Sequence, residues 1–196
     1  MRKLAILALG AAIFAGANAG AATLEKMTLG EMGAASAFVV RARCLEVSSR
    51  WDRGEIWTFS RFQTIGSWKG NLPGEFTVRM IGGQVGEIES LVSGVPRFAP
   101  GDEAVLFLVP TAERDYAVTA WTEGTFRVRR DASGSAFVTQ ESAAELVFDP
   151  TTRKYQAPGI RKMPLAAFHG LFERVSKMHS APANFAWRAT QQKGRP

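Results

Sequence analysis

The chain is predicted to be mainly β with a minor α+β character: a small curled barrel, a short helix before it and an amphipathic helix after it. Three observations carry this. Apolar residues alternate with period two in successive runs from Ala37 to Val128. Clusters of Gly, Pro and Asn separate those runs, and a helical stripe follows Pro164.

The first nineteen residues stand apart from the fold. Met1-Arg2-Lys3 is a positive start, Leu4 to Ala17 an apolar run and Ala17-Asn18-Ala19 a small-x-small exit, the grammar of a cleaved signal peptide. The apolar run is about fourteen residues, short of the roughly twenty that cross a bilayer. Cleavage after Ala19, no stable membrane span and an exported protein, periplasmic or secreted, are therefore expected. Gly20 rather than a cysteine follows the exit, so no lipid anchor is expected.

In the Thr23 to Met32 segment, apolar residues at Leu24, Met27 and Met32 predict a short helix capped by Thr23, although Lys26 stands where a capping box would place a glutamate. Ala37 to Val47 is read as a strand, with Phe38, Val40, Ala42 and Cys44 on one face and Val39, Arg41, Arg43, Leu45 and Val47 on the other. Arg50 to Gly54 is a turn. Ile56 to Trp68 is a second long strand whose apolar phase changes after Phe59, which predicts a bulge and a sheet that curls. Lys69 to Gly74 has the composition of a turn, and Phe76 to Ile81 is the next strand, ended by Gly82-Gly83.

Gln84 to Pro100 has little periodicity and reads as a long ordered excursion, the kind of segment that often carries function. Gly82-Gly83-x-x-Gly86 leads into no helix and has no phosphate-placed lysine, so it is a turn. Ala104 to Val109 is a continuous apolar run fit for a strand buried on both faces. Tyr116 to Trp121 and Thr125 to Val128 are read as a strand pair joined at Glu123-Gly124, with shorter strands at Ser135 to Thr139 and Glu145 to Phe148. Leu165, Phe168, Leu171, Phe172, Val175 and Met178 then make a helical stripe. The resulting division is a signal peptide at 1–19, a β-barrel domain at 20–150, an extension at 151–179 whose helix packs on the barrel, and a flexible tail at 180–196.

The full chain carries a net charge of +6, which loss of Arg2 and Lys3 would lower by two. A mildly basic exported surface suits an anionic or protein partner, and export argues against nucleic acid. The single cysteine, Cys44, can form no internal disulfide and reads as a small buried hydrophobe. His169 and His179, ten residues apart on one helix, would lie about 15 Å apart. They cannot share a metal, and no metal site or cofactor is expected. No Gly-x-Ser-x-Gly motif occurs, and the adjacent Asp102 and Glu103 point to opposite faces of a strand, so no catalytic residue is assigned. The candidate ligand-binding residues are the aromatic and cationic side chains of the strands and the excursion: Trp57, Trp68, Arg97, Phe98 and Trp121.

Ala37-Phe38-Val39-Val40-Arg41-Ala42-Arg43, a strand ending Trp68-Lys69-Gly70, Phe76-Thr77-Val78-Arg79, and Phe98-x-Pro100-Gly101-Asp102-Glu103-x-Val105-Leu106-Phe107-Leu108 together resemble the netrin-like module of tissue inhibitors of metalloproteinases, as it occurs in exported bacterial proteins. The resemblance spans roughly residues 24 to 130 and implies a five-stranded barrel of the oligonucleotide/oligosaccharide-binding (OB) type. The animal inhibitors hold the protease zinc with an amino-terminal Cys-x-Cys. A mature chain beginning Gly20-Ala21-Ala22 has no such residues, so the resemblance implies the fold without the activity. The expected function is a non-enzymatic binding module of the cell envelope, with an unknown protein or glycan partner. A protease-associated inhibitor or chaperone-like partner is the alternative, and an enzyme with an unrecognised site built on Arg97, Asp102 or Glu103 is the third reading.

Overall fold

The computed structural model describes residues 27–144, 147–149, 153–156 and 159–179. The expected signal peptide and the expected tail after Ser180 lie outside these residues. The described chain is mainly β. Its order is α1 (Leu29–Ala35), β1 (Phe38–Asp52), β2 (Glu55–Lys69), β3 (Glu75–Ile81), β4 (Gly83–Val85), β5 (Ile88–Ser90), β6 (Glu103–Pro110), β7 (Tyr116–Val118), β8 (Thr125–Arg130), β9 (Ala136–Gln140), β10 (Val147–Asp149), β11 (Lys154–Gln156), β12 (Met163–Pro164) and α2 (Leu165–Met178).

The small five-stranded barrel is corrected to an eight-stranded sheet, ordered β1-β2-β3-β7-β6-β8-β9-β12, with β1 also paired to β6. The sheet is larger because β6 shares one edge between two partners. Leu108 to Pro110 pair with β7, and Ala104 to Leu106 pair with β8. Thus β7 and β8 are not a pair with one another, as their sequence proximity suggested. Between them Ala120 and Trp121 adopt positive φ (52° and 50°), and the left-handed step carries the chain sideways along β6. Five strands, β1, β2, β3, β7 and β6, nonetheless form a closed circuit of pairings, in which only β3–β7 is parallel.

The β1–β2 hairpin is longer than its apolar pattern indicates. The predicted turn at Arg50 to Gly54 shrinks to Arg53 and Gly54, both at positive φ, and Trp51 pairs with Ile56. Three irregularities bend it: the register skips Trp68 and Ile65 on β2 and Leu45 on β1. Phe59 and Phe62 fall in opposite phases by ordinary alternation, so the bulges lie further along β2 than predicted. The bulge at Leu45 turns Val47 onto the same side as Cys44, against the expected alternation.

Two apolar clusters lie on opposite faces of this sheet. One contains Val40, Ala42, Cys44, Phe62, Phe76, Val78, Met80, Phe98, Leu106 and Leu108. The other contains Val39, Val105, Phe107, Phe126, Val128 and Val138, and is covered by Met32 of α1 with Phe168 and Phe172 of α2. The unbroken apolar run of β6 serves both faces, and Ala104 to Leu108 are fully buried.

Helix α1 is capped by Thr28, and Glu31, three residues on, completes a capping box; Thr23, the predicted cap, lies outside the described residues. Its other end is held by Lys69, which donates to the carbonyls of Gly33 at 2.7 Å and Ser36 at 2.6 Å. A cation there suits the carbonyl end of a helix. Among the described residues no helix is long and apolar enough to cross a membrane.

Candidate binding site

The excursion after β3 folds into the β4–β5 hairpin and then returns along the sheet to β6. Its root is a close backbone approach. Gly82 has φ 89° and Gly83 φ 131°. A Cβ on Gly82 would lie 2.7 Å from the Ser90 carbonyl oxygen. One on Gly83 would collide with Thr58 Oγ1 and sit 2.5 Å from Ser49 Oγ. The glycine doublet is required at this crossing, not only at a turn.

The hydroxyls under Gly83 are linked in a short chain. Ser49 Oγ and Thr58 Oγ1 are 2.9 Å apart, and Thr58 Oγ1 donates to the Gly82 carbonyl at 2.7 Å. β1, β2 and the hairpin root are thereby joined where β3 ends. The return segment is fixed as firmly. Phe98 is buried edge-on against Phe62, with the Arg127 guanidinium 4.3 Å above its ring. Arg127 also donates to the Arg97 carbonyl and to Glu141 and Asp102.

Between hairpin and sheet lies a cleft of about 170 Å³, walled by Val47, Met80, Val92, Val95 and Phe98 with Ser49 and Thr58 at its base. Glu89 and Arg97 pair at 3.2 Å on its rim. This volume is below the roughly 300 Å³ at which small-molecule pockets begin. The cleft has room for about one side chain, not for a drug-sized ligand. The excursion exposes two large aliphatic side chains, Ile88 at 55% and Leu91 at 67%, among the exposed polar residues Gln84, Glu87, Glu89, Ser93 and Arg97.

A second feature covers the outer face of β1 to β3. Arg79 is 9% exposed and lies 4.3 Å above the Trp57 ring and 5.6 Å from that of Phe59, over which Arg50 also stacks at 3.7 Å. Arg79 reaches Asp52 at 2.9 Å and Glu113 at 3.2 Å. Its Nε, 3.8 Å from Asp115, makes no hydrogen bond among the described residues. The guanidiniums occupy the ring faces, so this stack ties the β1–β2 turn to the β6–β7 link.

The structure distributes the predicted binding residues. Arg97 and Phe98 line the cleft, Phe98 as a core residue. Trp57 belongs to the Arg79 stack. Trp68 packs against Phe168, His169 and Phe172 of α2 on the opposite face, and half-buried Trp121 occupies the left-handed turn after β7. They do not meet in one site. Ser49, Thr58, Ile88 and Leu91 were missed. The Gly82-Gly83 doublet was the available signal, since two adjacent glycines ending a strand permit close backbone crossing as readily as a turn.

Cys44 lies in the first cluster, and burial, followed by the nearby Asp102 carboxylate, pushes its thiol above its ordinary value. The described residues contain no group of three or more His, Cys, Asp or Glu side chains arranged to hold a metal ion. Compared with known proteins, the chain matches no family model and no curated sequence.

Proposed function

We propose that this protein is an exported, non-enzymatic module that binds a protein partner through the β4–β5 hairpin. The observation that carries the reading is the pairing of Ile88 and Leu91, two exposed aliphatic side chains, with a hairpin root fixed by Gly82 and Gly83 over the Ser49–Thr58 hydroxyls. Apolar side chains presented on a rigid frame bury area on binding with little loss of conformational freedom. The small cleft beneath favours a side chain of a protein over a free small molecule or a glycan chain.

The closed circuit β1-β2-β3-β7-β6 supports an OB-type barrel as the core of the eight-stranded sheet, and this in turn supports the netrin-like resemblance. Export rests on the Met1 to Ala19 signal pattern. In the test, the chain from Gly20 is immobilised and challenged with envelope and culture-medium fractions. The reading expects a saturable protein partner retained by the wild type and lost by I88S/L91S with an unchanged thermal melt. Retention by both forms, or a partner that is a glycan alone, would overturn it.

A further inference from the structure

The hydroxyls at the base of the cleft beneath the β4–β5 hairpin have a fixed direction. Thr58 has one hydroxyl proton, and it goes to the Gly82 carbonyl at 2.7 Å. The 2.9 Å contact between Thr58 Oγ1 and Ser49 Oγ is then a donation from Ser49. The chain runs from Ser49 to Thr58 to Gly82, and both hydroxyl protons are spent. A hydroxyl oxygen keeps two acceptor lone pairs. Among the described residues no other hydrogen bond reaches Ser49 Oγ, so the hydroxyls at the base offer an acceptor and no donor.

The walls and the volume narrow the choice of occupant. Val47, Val92 and Val95 are aliphatic, Met80 brings a polarisable sulfur and Phe98 a ring. Sulfur and ring both favour contact with an aromatic side chain. An apolar cavity of about 150 Å³ takes up one benzene ring. The cleft, at about 170 Å³, is of that size. Among its lining residues Glu89 is the only acid, and on the rim it is already paired with Arg97 at 3.2 Å. An ammonium group carried to the base would lose its water and meet no counter-charge. Ser90 also lines the cleft, and its hydroxyl can turn to donate or to accept.

We infer that the partner bound by the hairpin seats a tyrosine side chain in this cleft, its ring against Met80 and Phe98 and its phenol donating to Ser49 Oγ. The inference names the anchor of the interaction proposed above and rests on that reading. A phenylalanine fills the same space but leaves the Ser49 oxygen desolvated and unpaired. An indole exceeds one ring, and an imidazole is too polar for walls of valine. Tyrosine joins an apolar body to a polar tip, the combination that makes it a frequent anchor at the buried centre of interfaces.

Side-chain analogues test this on the isotope-labelled full chain, read by the NMR shifts of the Ser49, Thr58, Gly82 and Gly83 amides. p-Cresol should bind saturably with a Kd of about 1–10 mM, and toluene about three- to tenfold more weakly. n-Butylamine and methylimidazole should leave these amides unmoved. S49A should bring p-cresol down to the affinity of toluene while leaving toluene unchanged, and I88S/L91S should bind p-cresol as the wild type does. Equal affinity for p-cresol and toluene, a p-cresol preference that survives in S49A, or tighter binding of n-butylamine or methylimidazole would overturn the inference. Should S49A fail to fold, the ratio of p-cresol to toluene affinity in the wild type decides. In the capture experiment on envelope and medium fractions, S49A should weaken retention of the partner. A partner lost by I88S/L91S but retained undiminished by S49A would overturn the tyrosine and leave hairpin binding in place. A p-cresol preference with no partner retained would overturn hairpin binding and the tyrosine donor with it.

Discussion

Replacing Gly83 by alanine tests how the hairpin is held. At φ 131° an L side chain is strained, at a cost of about 1–3 kcal/mol. The new Cβ also enters the space of Thr58 Oγ1 and Ser49 Oγ, so the Ser49–Thr58 and Thr58–Gly82 hydrogen bonds must open, at about 1 kcal/mol each. The structure therefore predicts a loss of roughly 3–5 kcal/mol if the hairpin stays docked, and less if it lifts off. Urea unfolding reads the first case: with m of about 2 kcal/mol/M, the midpoint falls by roughly 1.5–2.5 M. Amide exchange of Gln84 to Ser90 reads the second, as faster exchange without a large global change. Gly86 is the control, because it also has positive φ, 61°, but its Cβ would meet open space. G86A should cost about 1–2 kcal/mol with hairpin exchange unchanged at its root. Equal midpoints and equal exchange for G83A and G86A would refute the close-crossing argument.

K69M should lower stability by about 2–3 kcal/mol in a thermal or urea melt, since it leaves the Gly33 and Ser36 carbonyls without their charged donor. T28A should cost about 1 kcal/mol at neutral pH. Glu31 is held below the ordinary glutamate value by the backbone N–H and the hydroxyl of Thr28. Its contribution is thus present above the unfolded value of about 4.3 and lost as pH falls through the lower folded value, so the T28A deficit should shrink on acidification. Cys44, buried and with a raised thiol pKa, should react with a thiol reagent in urea at once but in the native protein only on the timescale of opening.

Much of the β framework was legible because burial leaves a periodic trace. The Ala104 to Val109 run announced a strand covered on both faces, and the Phe168 and Phe172 spacing announced the helix that covers one of them. What was not legible depends on pairing. Ser48 to Asp52, polar except for the exposed Trp51, show no apolar alternation, yet they extend β1 because β2 pairs with them. Trp68 is spaced like a strand aromatic, but the bulge beside it and the approach of α2 decide what it touches. The sharing of β6 between β7 and β8 follows from two left-handed residues, Ala120 and Trp121, whose identities carry no signal for positive φ. The candidate site was half visible. The excursion from Gln84 to Pro100 stood out by its lack of period, whereas the exposure of Ile88 and Leu91 is a property of docking that an apolar residue type does not disclose.

The most direct test of hairpin binding is site-specific photo-crosslinking from position 91 in the full chain, with position 133 in the exposed Asp131 to Ser135 loop as the reference. The account predicts one saturable protein adduct from position 91, absent from position 133 and diminished by I88S. Equal adducts from both positions, or none from position 91 under conditions in which the chain captures a partner, would contradict it.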